Sequence, residues 1–286
     1  MRHIALPLML ALFLTSAAAQ TAGEPASAEE YNERGLARHK KGDSDGAIAD
    51  LTKAIEMNPR LADAYVNRGN ARSRKGDLDA ALADFDKAIE LNAQNAKAYY
   101  NRGRVRDYRG DLEAAIADYT KAIELEAQHA AAYNNRGLAR KGVGDLEGAL
   151  ADLNKAVEIN AQDARTYYNR ALVREDKGDA DGAIADYDKA IALDPQDAEA
   201  FNNRGAVRLG KADYAEAAAD FDKALELNPQ LADAYGNRGL ALLAQGKDAE
   251  AQQDFDKCFK LDASLKSYYE DAARKIKQSR TPPKSN

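Results

Sequence analysis

Residues 62–95 read ADAYVNRGNARSRKGDLDAALADFDKAIELNAQN, and this stretch decides the architecture. Its tripeptide Asn67-Arg68-Gly69 returns as Asn101-Arg102-Gly103, Asn135-Arg136-Gly137, Asn203-Arg204-Gly205 and Asn237-Arg238-Gly239. Near-copies stand at Glu33-Arg34-Gly35 and Asn169-Arg170-Ala171, and successive copies are always 34 residues apart. A fixed period of this size marks a stack of equivalent units that bury their apolar faces against each other. Seven units follow without insertion or deletion: 28–61, 62–95, 96–129, 130–163, 164–197, 198–231 and 232–265. One inserted residue would rotate a unit's apolar face away from its neighbour.

Within 62–95, apolar residues recur at i, i+3 and i+4 over residues 62–75 and again over 78–91, which predicts two amphipathic helices per unit. Gly76 suits the left-handed position after the first helix, and Asp77 suits the N-cap of the second. The pair recurs at Gly42-Asp43, Gly110-Asp111, Gly144-Asp145 and Gly178-Asp179. Unit six has Ala212-Asp213 and unit seven Gly246-Lys247, so these hairpins are weaker by about 1 kcal/mol each.

Other columns share the register. A large aromatic stands at Tyr31, Tyr65, Tyr99, Tyr133, Tyr167, Phe201 and Tyr235, and an alanine at Ala47, Ala81, Ala115, Ala149, Ala183, Ala217 and Ala251. Four residues after each alanine come Leu51, Phe85, Tyr119, Leu153, Tyr187, Phe221 and Phe255. Their spacing puts the aromatic and alanine columns in the core. With the small residue of Asn-Arg-Gly, this pattern resembles the tetratricopeptide repeat (TPR) family over residues 28–265. The resemblance implies an all-α superhelix, an α-solenoid of seven helix-turn-helix units. Where that family usually has Leu before the Gly, this chain has Arg in all seven units.

Residues 266–278 match the start of an eighth unit, with Tyr269, Ala273 and Ile276 on one face, and predict a C-terminal capping helix. Residues 279–286, containing Pro282-Pro283, read as a disordered tail. At the other end, Met1-Arg2-His3, the apolar run 4–14 and Ala17-Ala18-Ala19 read as a secretory signal peptide over residues 1–19. The apolar run is shorter than the roughly 20 residues a membrane span needs, against the alternative of an N-terminal anchor. Residues 20–27 are then a disordered linker. The export signal predicts a periplasmic or secreted protein without stable membrane insertion after cleavage. The lone Cys258 allows no internal disulfide, and since six units have Ala there it reads as a small buried residue rather than a reactive thiol.

Two columns of opposite charge run through the lattice. Arg34, Arg68, Arg102, Arg136, Arg170, Arg204 and Arg238 each precede an aspartate by 16 residues: Asp50, Asp84, Asp118, Asp152, Asp186, Asp220 and Asp254. The constant offset predicts a repeated ion pair between the two helices of a unit, for which the forked guanidinium is suited. Arg68–Asp84, Arg102–Asp118 and Arg136–Asp152 are three such structural pairs. The rival reading is a basic, ligand-binding stripe. A second arginine column follows four residues on: Arg38, Arg72, Arg106, Arg140, Arg174 and Arg208, broken at Leu242.

The third column is Asn67, Asn101, Asn135, Asn169, Asn203 and Asn237, with Glu33 in the first unit. In the TPR family this position faces the concave groove. The row resembles the asparagine ladder of the O-linked N-acetylglucosamine transferase TPR domain and is similar to peroxisomal import receptors, which implies that the amides hold the backbone of an extended peptide. Asn can donate and accept at once, matching any peptide bond. The alternative is a helix-to-helix hydrogen bond within the stack. Tyr100, Arg104, Tyr108, Tyr168 and Lys97 would make the middle of the groove aromatic and mildly basic. Leu138, Leu172, Leu209, Leu240 and Leu243 would make its C-terminal half apolar, unless the capping helix covers Leu240 and Leu243. Chaperone-type carboxylate clamps are not matched, since Val66 and Ala131 occupy two of their lysine places and Asn135 an arginine place.

Chemistry other than binding has no support. A net charge of −6 without a long basic span offers no nucleic-acid footprint. His39 and His129 lie 90 residues apart, and no metal-ligand spacing, phosphate loop or nucleophile elbow occurs. No cofactor and no catalytic residue are expected. The reading is a non-catalytic adaptor that holds an extended peptide or partner protein in its groove. The alternative is a self-associating scaffold of the cell envelope.

Overall fold

A computed structural model describes residues 25–280, and the fold follows the 34-residue lattice. Each unit is a helix pair: α1 Ala28–Lys40 and α2 Ser44–Met57, α3 Ala62–Arg74 and α4 Leu78–Leu91, α5 Ala96–Tyr108 and α6 Leu112–Leu125. Then come α7 Ala130–Gly142 and α8 Leu146–Ile159, α9 Ala164–Asp176 and α10 Ala180–Leu193, α11 Ala198–Gly210 and α12 Tyr214–Leu227, α13 Ala232–Ala244 and α14 Asp248–Leu261. A 3-10 turn, Ala263–Leu265, leads into α15, Lys266–Arg280. The predicted signal segment 1–19, residues 20–24 of the linker and residues 281–286 lie outside the described residues.

The hairpin glycines adopt the left-handed conformation, Gly76 at φ +83°, and Ala212 is forced into it at φ +65°. The aspartate that follows caps its helix less uniformly than its column predicts. Asp43, Asp145 and Asp179 accept from Gly46 N, Gly148 N and Gly182 N at 2.9, 2.9 and 3.0 Å. Asp77, Asp111 and Asp213 make no such bond. The capped helices have glycine three residues on, where a Cβ at Gly46 would stand 2.2 Å from Asp43 Oδ2. Ala80, Ala114 and Glu216 fill that space and turn the carboxylate away.

The core lies between the helices of each unit and between units. Ala81, Phe85 and Ala88 of α4 are fully buried, with Ala64 and Ala71 of α3 facing the unit before. The small residue of Asn-Arg-Gly admits the second-helix side chain: a Cβ at Gly69 would lie 2.7 Å from Phe85 Cε1. Truncating Phe85 should cost about 3–5 kcal/mol. The first-helix aromatics differ from expectation. Tyr65, Tyr167 and Phe201 are buried, while Tyr31, Tyr99, Tyr133 and Tyr235 are half-exposed.

Each odd-numbered helix from α1 to α9, and α11, packs on its own partner and on the preceding even-numbered helix where one exists, as does α13. Odd-numbered helices also touch the next odd-numbered helix, at α1–α3, α3–α5, α5–α7, α7–α9 and α11–α13, while successive even-numbered helices make no comparable contact. The odd-numbered helices are therefore the closer-spaced row and form the concave side.

Both ends are sealed. Ala26 N donates to Glu30 Oε2 at 2.6 Å and Glu30 N to Ser27 Oγ at 3.1 Å, so the last linker residues cap α1 instead of being disordered. At the far end α15 runs two residues beyond its predicted limit. Arg280 Nη1 donates to Leu243 O at 2.7 Å and to Asp248 Oδ1 at 2.6 Å, which holds the last turn. Tyr269 is almost fully buried above Gly236, and it joins Leu240, Leu243 and Phe255 in one cluster. Leu240 and Leu243 thus lie under the capping helix and are not part of an open groove.

Candidate functional site

The arginine and aspartate columns meet as ion pairs in all seven units. Arg34, Arg68, Arg102, Arg136, Arg170, Arg204 and Arg238 each grip their aspartate through Nε and Nη2. Each of these guanidinium groups also lies over the aromatic ring three residues before it, at 5.2–5.6 Å from the centroid. From the second unit on, Nη1 reaches back to the preceding unit: Arg68 to Thr52, Arg102 to Asp86, Arg136 to Thr120, Arg170 to Asn154, Arg204 to Asp188 and Arg238 to Asp222. Burial alone would lower the Arg102 pKa, and the Asp118 and Asp86 carboxylates reverse this and raise it.

The second arginine column closes on the same acids. Arg38, Arg72, Arg106, Arg140, Arg174 and Arg208 approach Asp50, Asp84, Asp118, Asp152, Asp186 and Asp220 at 2.8–3.2 Å. Each nearly buried carboxylate is thus shared by two arginines in these six units. The arrangement fixes the register of both helices and ties unit to unit. These guanidinium groups are engaged inside the stack.

The asparagine row lies along the contact between successive odd-numbered helices. Asn67 Nδ2 donates to Asn32 Oδ1 at 2.9 Å, Asn135 to Tyr100 Oη at 3.2 Å and Asn169 to Asn134 Oδ1 at 2.9 Å. Asn203 donates to Tyr168 Oη at 2.9 Å and Asn237 to Asn202 Oδ1 at 3.3 Å. Asn135 and Asn203 also accept from Asn134 and Asn202, and Asn237 accepts from Tyr269 Oη at 3.0 Å. The row therefore bonds within the stack and does not stand free along its whole length. Asn101 differs, because the residue opposite it in the preceding unit is Val66, and its amide makes no hydrogen bond. The oxygens of Asn67 and Asn169 are also unbonded, and each amide that donates once keeps a second N–H.

Around this row the concave side changes character. Tyr100 and Tyr168 are half-buried; their rings meet Tyr119 and Tyr187 at 5.9 and 5.7 Å. Tyr119 donates to Asp107 Oδ2 at 3.2 Å, and Tyr187 donates to Glu175. Burial raises the pKa of both Asp107 and Glu175. Leu138 and Leu172 are half-buried, Leu172 against the Tyr187 cluster.

Between the first three units the concave side opens into a cavity of about 670 Å³ with Leu78, Phe85 and Val105 in its floor. Asn101, Arg104 and Tyr108 line it from α5, and Asn70 and Arg74 from α3. Tyr108 is 82 % exposed. A second, more apolar cavity of about 500 Å³ lies between α14 and α15, against Phe255, Phe259 and Ala273.

Among the described residues no helix is long and apolar enough to cross a membrane, and no three His, Cys, Asp or Glu side chains are grouped to hold a metal. Cys258 is buried, and burial pushes its thiol pKa up to about 11.

A profile described as "TPR repeat" matches residues 35–76, 143–178 and 175–211. Two profiles described as "Tetratricopeptide repeat" match 62–95, 96–129 and 198–231, and 221–253. None of these describes an enzyme. Among solved structures, the chain is similar to YrrB, described as a TPR protein with an unusual peptide-binding site. That match has 30% identity and a TM-score of 0.57, over 64% of this chain and 95% of that one. It is similar to MamA at 28% identity and a TM-score of 0.53, over 58% of this chain and 96% of that one. A tetratricopeptide repeat protein from Parabacteroides merdae matches at 25% identity and a TM-score of 0.62, over 88% of this chain and all of that one. No curated protein sequence matches.

Proposed function

Because the chain belongs to the tetratricopeptide repeat family, we propose that it is a non-catalytic adaptor whose concave side holds an extended peptide segment of a partner protein. The carrying observation is Asn101. It stands in the bonded row of amides with its own amide unpaired, at the edge of a cavity that Asn70, Arg74, Arg104 and Tyr108 also line. An unpaired amide can donate to and accept from a peptide backbone, for about 0.5–1.5 kcal/mol net per bond. The open oxygens of Asn67 and Asn169 continue the same row. The peptide-binding site in the description of YrrB supports this reading.

The N-terminal pattern over residues 1–19 supports the reading of this adaptor as a periplasmic or secreted protein. Affinity should be modest, on the order of micromolar, as a few such contacts must offset the ordering of the peptide. The test is selection of a binding peptide from an array, followed by crosslinking from a photoreactive residue at position 108 in one variant and at position 121, on the even-numbered helix α6, in another. Crosslinks to the peptide from position 108 support the groove. Crosslinks only from the even-numbered helices would overturn it.

Self-association is a second reading, favoured by the apolar cavity between α14 and α15. Light scattering that finds a strict monomer at all concentrations would remove it.

A further inference from the structure

Almost every described arginine has a carboxylate partner. The exceptions are Arg60, Arg74 and Arg104. Two of these three line the same cavity, the one between the first three units. Arg104 is exposed, and its guanidinium lies over the Tyr100 ring, 6.0 Å from the centroid, with no carboxylate among the described residues paired to it. Arg74 Nη1 donates to His39 O at 2.6 Å, and its remaining donors are unused. No carboxylate lines the cavity, although the chain as a whole carries −6. His39 contributes a buried ring nitrogen, Nδ1, without a hydrogen-bond partner.

Resting on the peptide-binding reading above, we infer that this cavity selects an acidic side chain, Asp or Glu, within the bound peptide. The carboxylate sits between Arg74 and Arg104, and Asn101 holds the adjoining peptide bond. Charge-assisted bonds to a guanidinium are the stronger kind, and a lattice that neutralises its other concave arginines leaves these two to a ligand. Tyr108 and the Leu78, Phe85 and Val105 floor give the neighbouring peptide residue an apolar or aromatic preference. The asparagine row continues on the far side of the cavity, so the peptide runs through it. This favours an internal side chain over a terminal carboxylate.

The test is fluorescence anisotropy with three labelled peptides on the full chain. They are Gly-Ser-Glu-Tyr-Glu-Ser-Gly amide, its Gln-Tyr-Gln amide counterpart, and that counterpart with a free C-terminal carboxylate. The acidic amide should bind about tenfold more tightly than the neutral amide. Arg104→Gln and Arg74→Gln should each remove most of that preference, while Arg60→Gln should not. Arg104 is exposed and bonded to no carboxylate, so Arg104→Gln should melt like the parent. Equal binding of the acidic and neutral amides overturns the acidic subsite and leaves the groove reading standing. A preference for the free C-terminal carboxylate overturns the internal side chain. Binding of no peptide overturns the groove reading and this inference together.

Discussion

Arg136 holds Asp152 with two parallel bonds, Nε–H to Oδ2 at 2.8 Å and Nη2–H to Oδ1 at 2.6 Å, while its Nη1 reaches Thr120 Oγ1 of the preceding unit at 3.0 Å. The side chains are 11% and 4% exposed. Asp152→Ala leaves Arg136 and Arg140 facing each other without their acid, and should cost about 3–5 kcal/mol. In a double-mutant cycle, Arg136→Ala with Asp152→Ala should show a coupling of about 2 kcal/mol or more. A coupling under about 0.5 kcal/mol would contradict the structural role of the column.

Glu175 gives the stack a pH dependence. Burial raises its pKa, against a smaller opposite effect of the Tyr187 bond. The folded chain therefore holds this proton to higher pH than the unfolded chain does. The associated stability is present below the unfolded carboxylate pKa and is lost as pH rises through the raised folded value. Glu175→Gln should keep the hydrogen bond from Tyr187, remove the charge, and melt higher than the parent at neutral pH, with the gap closing in acid. Melting curves from pH 4 to 7 check this. A variant less stable than the parent at neutral pH would go against it.

Gly236 makes room for the capping helix, since a Cβ there would lie 2.3 Å from the Tyr269 ring. Gly236→Ala should push Tyr269 out and loosen α15, at about 1–3 kcal/mol. Hydrogen exchange should then speed up over residues 266–280 and over Leu240 and Leu243 beneath them. Unchanged protection of α15 would contradict the fit.

Ala212 carries a left-handed φ that glycine holds at the matching place in the other units. Ala212→Gly should stabilise the sixth hairpin by about 1 kcal/mol, the strain of that conformation for an L-residue less the entropy of glycine. Thermal or denaturant melting reads the gain, and a loss would show that Ala212 is not strained.

Constant offsets carried most of the fold in the sequence. The 34-residue period, both helices of each unit and the Arg136-to-Asp152 spacing were readable because each column repeats one physical role. The stacking of Arg136 on Tyr133 is equally legible, being an i, i+3 pair on one helix, although the apolar spacing of the aromatic column points to the core. The bond from Asn135 to Tyr100 was less accessible. Its partner column holds Asn32, Val66, Tyr100, Asn134, Tyr168 and Asn202, and only their shared ability to accept a hydrogen bond, broken at Val66, unites them. The turned-away Asp77 depends on Ala80 three residues later, a steric effect that a capping pattern does not carry. The cavity beside Asn101 leaves no mark in the sequence, because Arg74 and Arg104 are distinguished only by the carboxylates they lack.

Binding at the concave side is tested most directly by titration calorimetry with one array-selected peptide on three chains. The parent is compared with Asn67→Ala/Asn101→Ala/Asn169→Ala on the inner row, and with Lys87→Ala/Lys121→Ala/Lys155→Ala on the even-numbered helices. All three should melt as folded solenoids. The asparagine variant should bind at least about tenfold more weakly, as the loss of two or three hydrogen bonds requires, and the lysine variant like the parent. Parent-like binding by the asparagine variant, with loss in the lysine variant, would contradict the concave site.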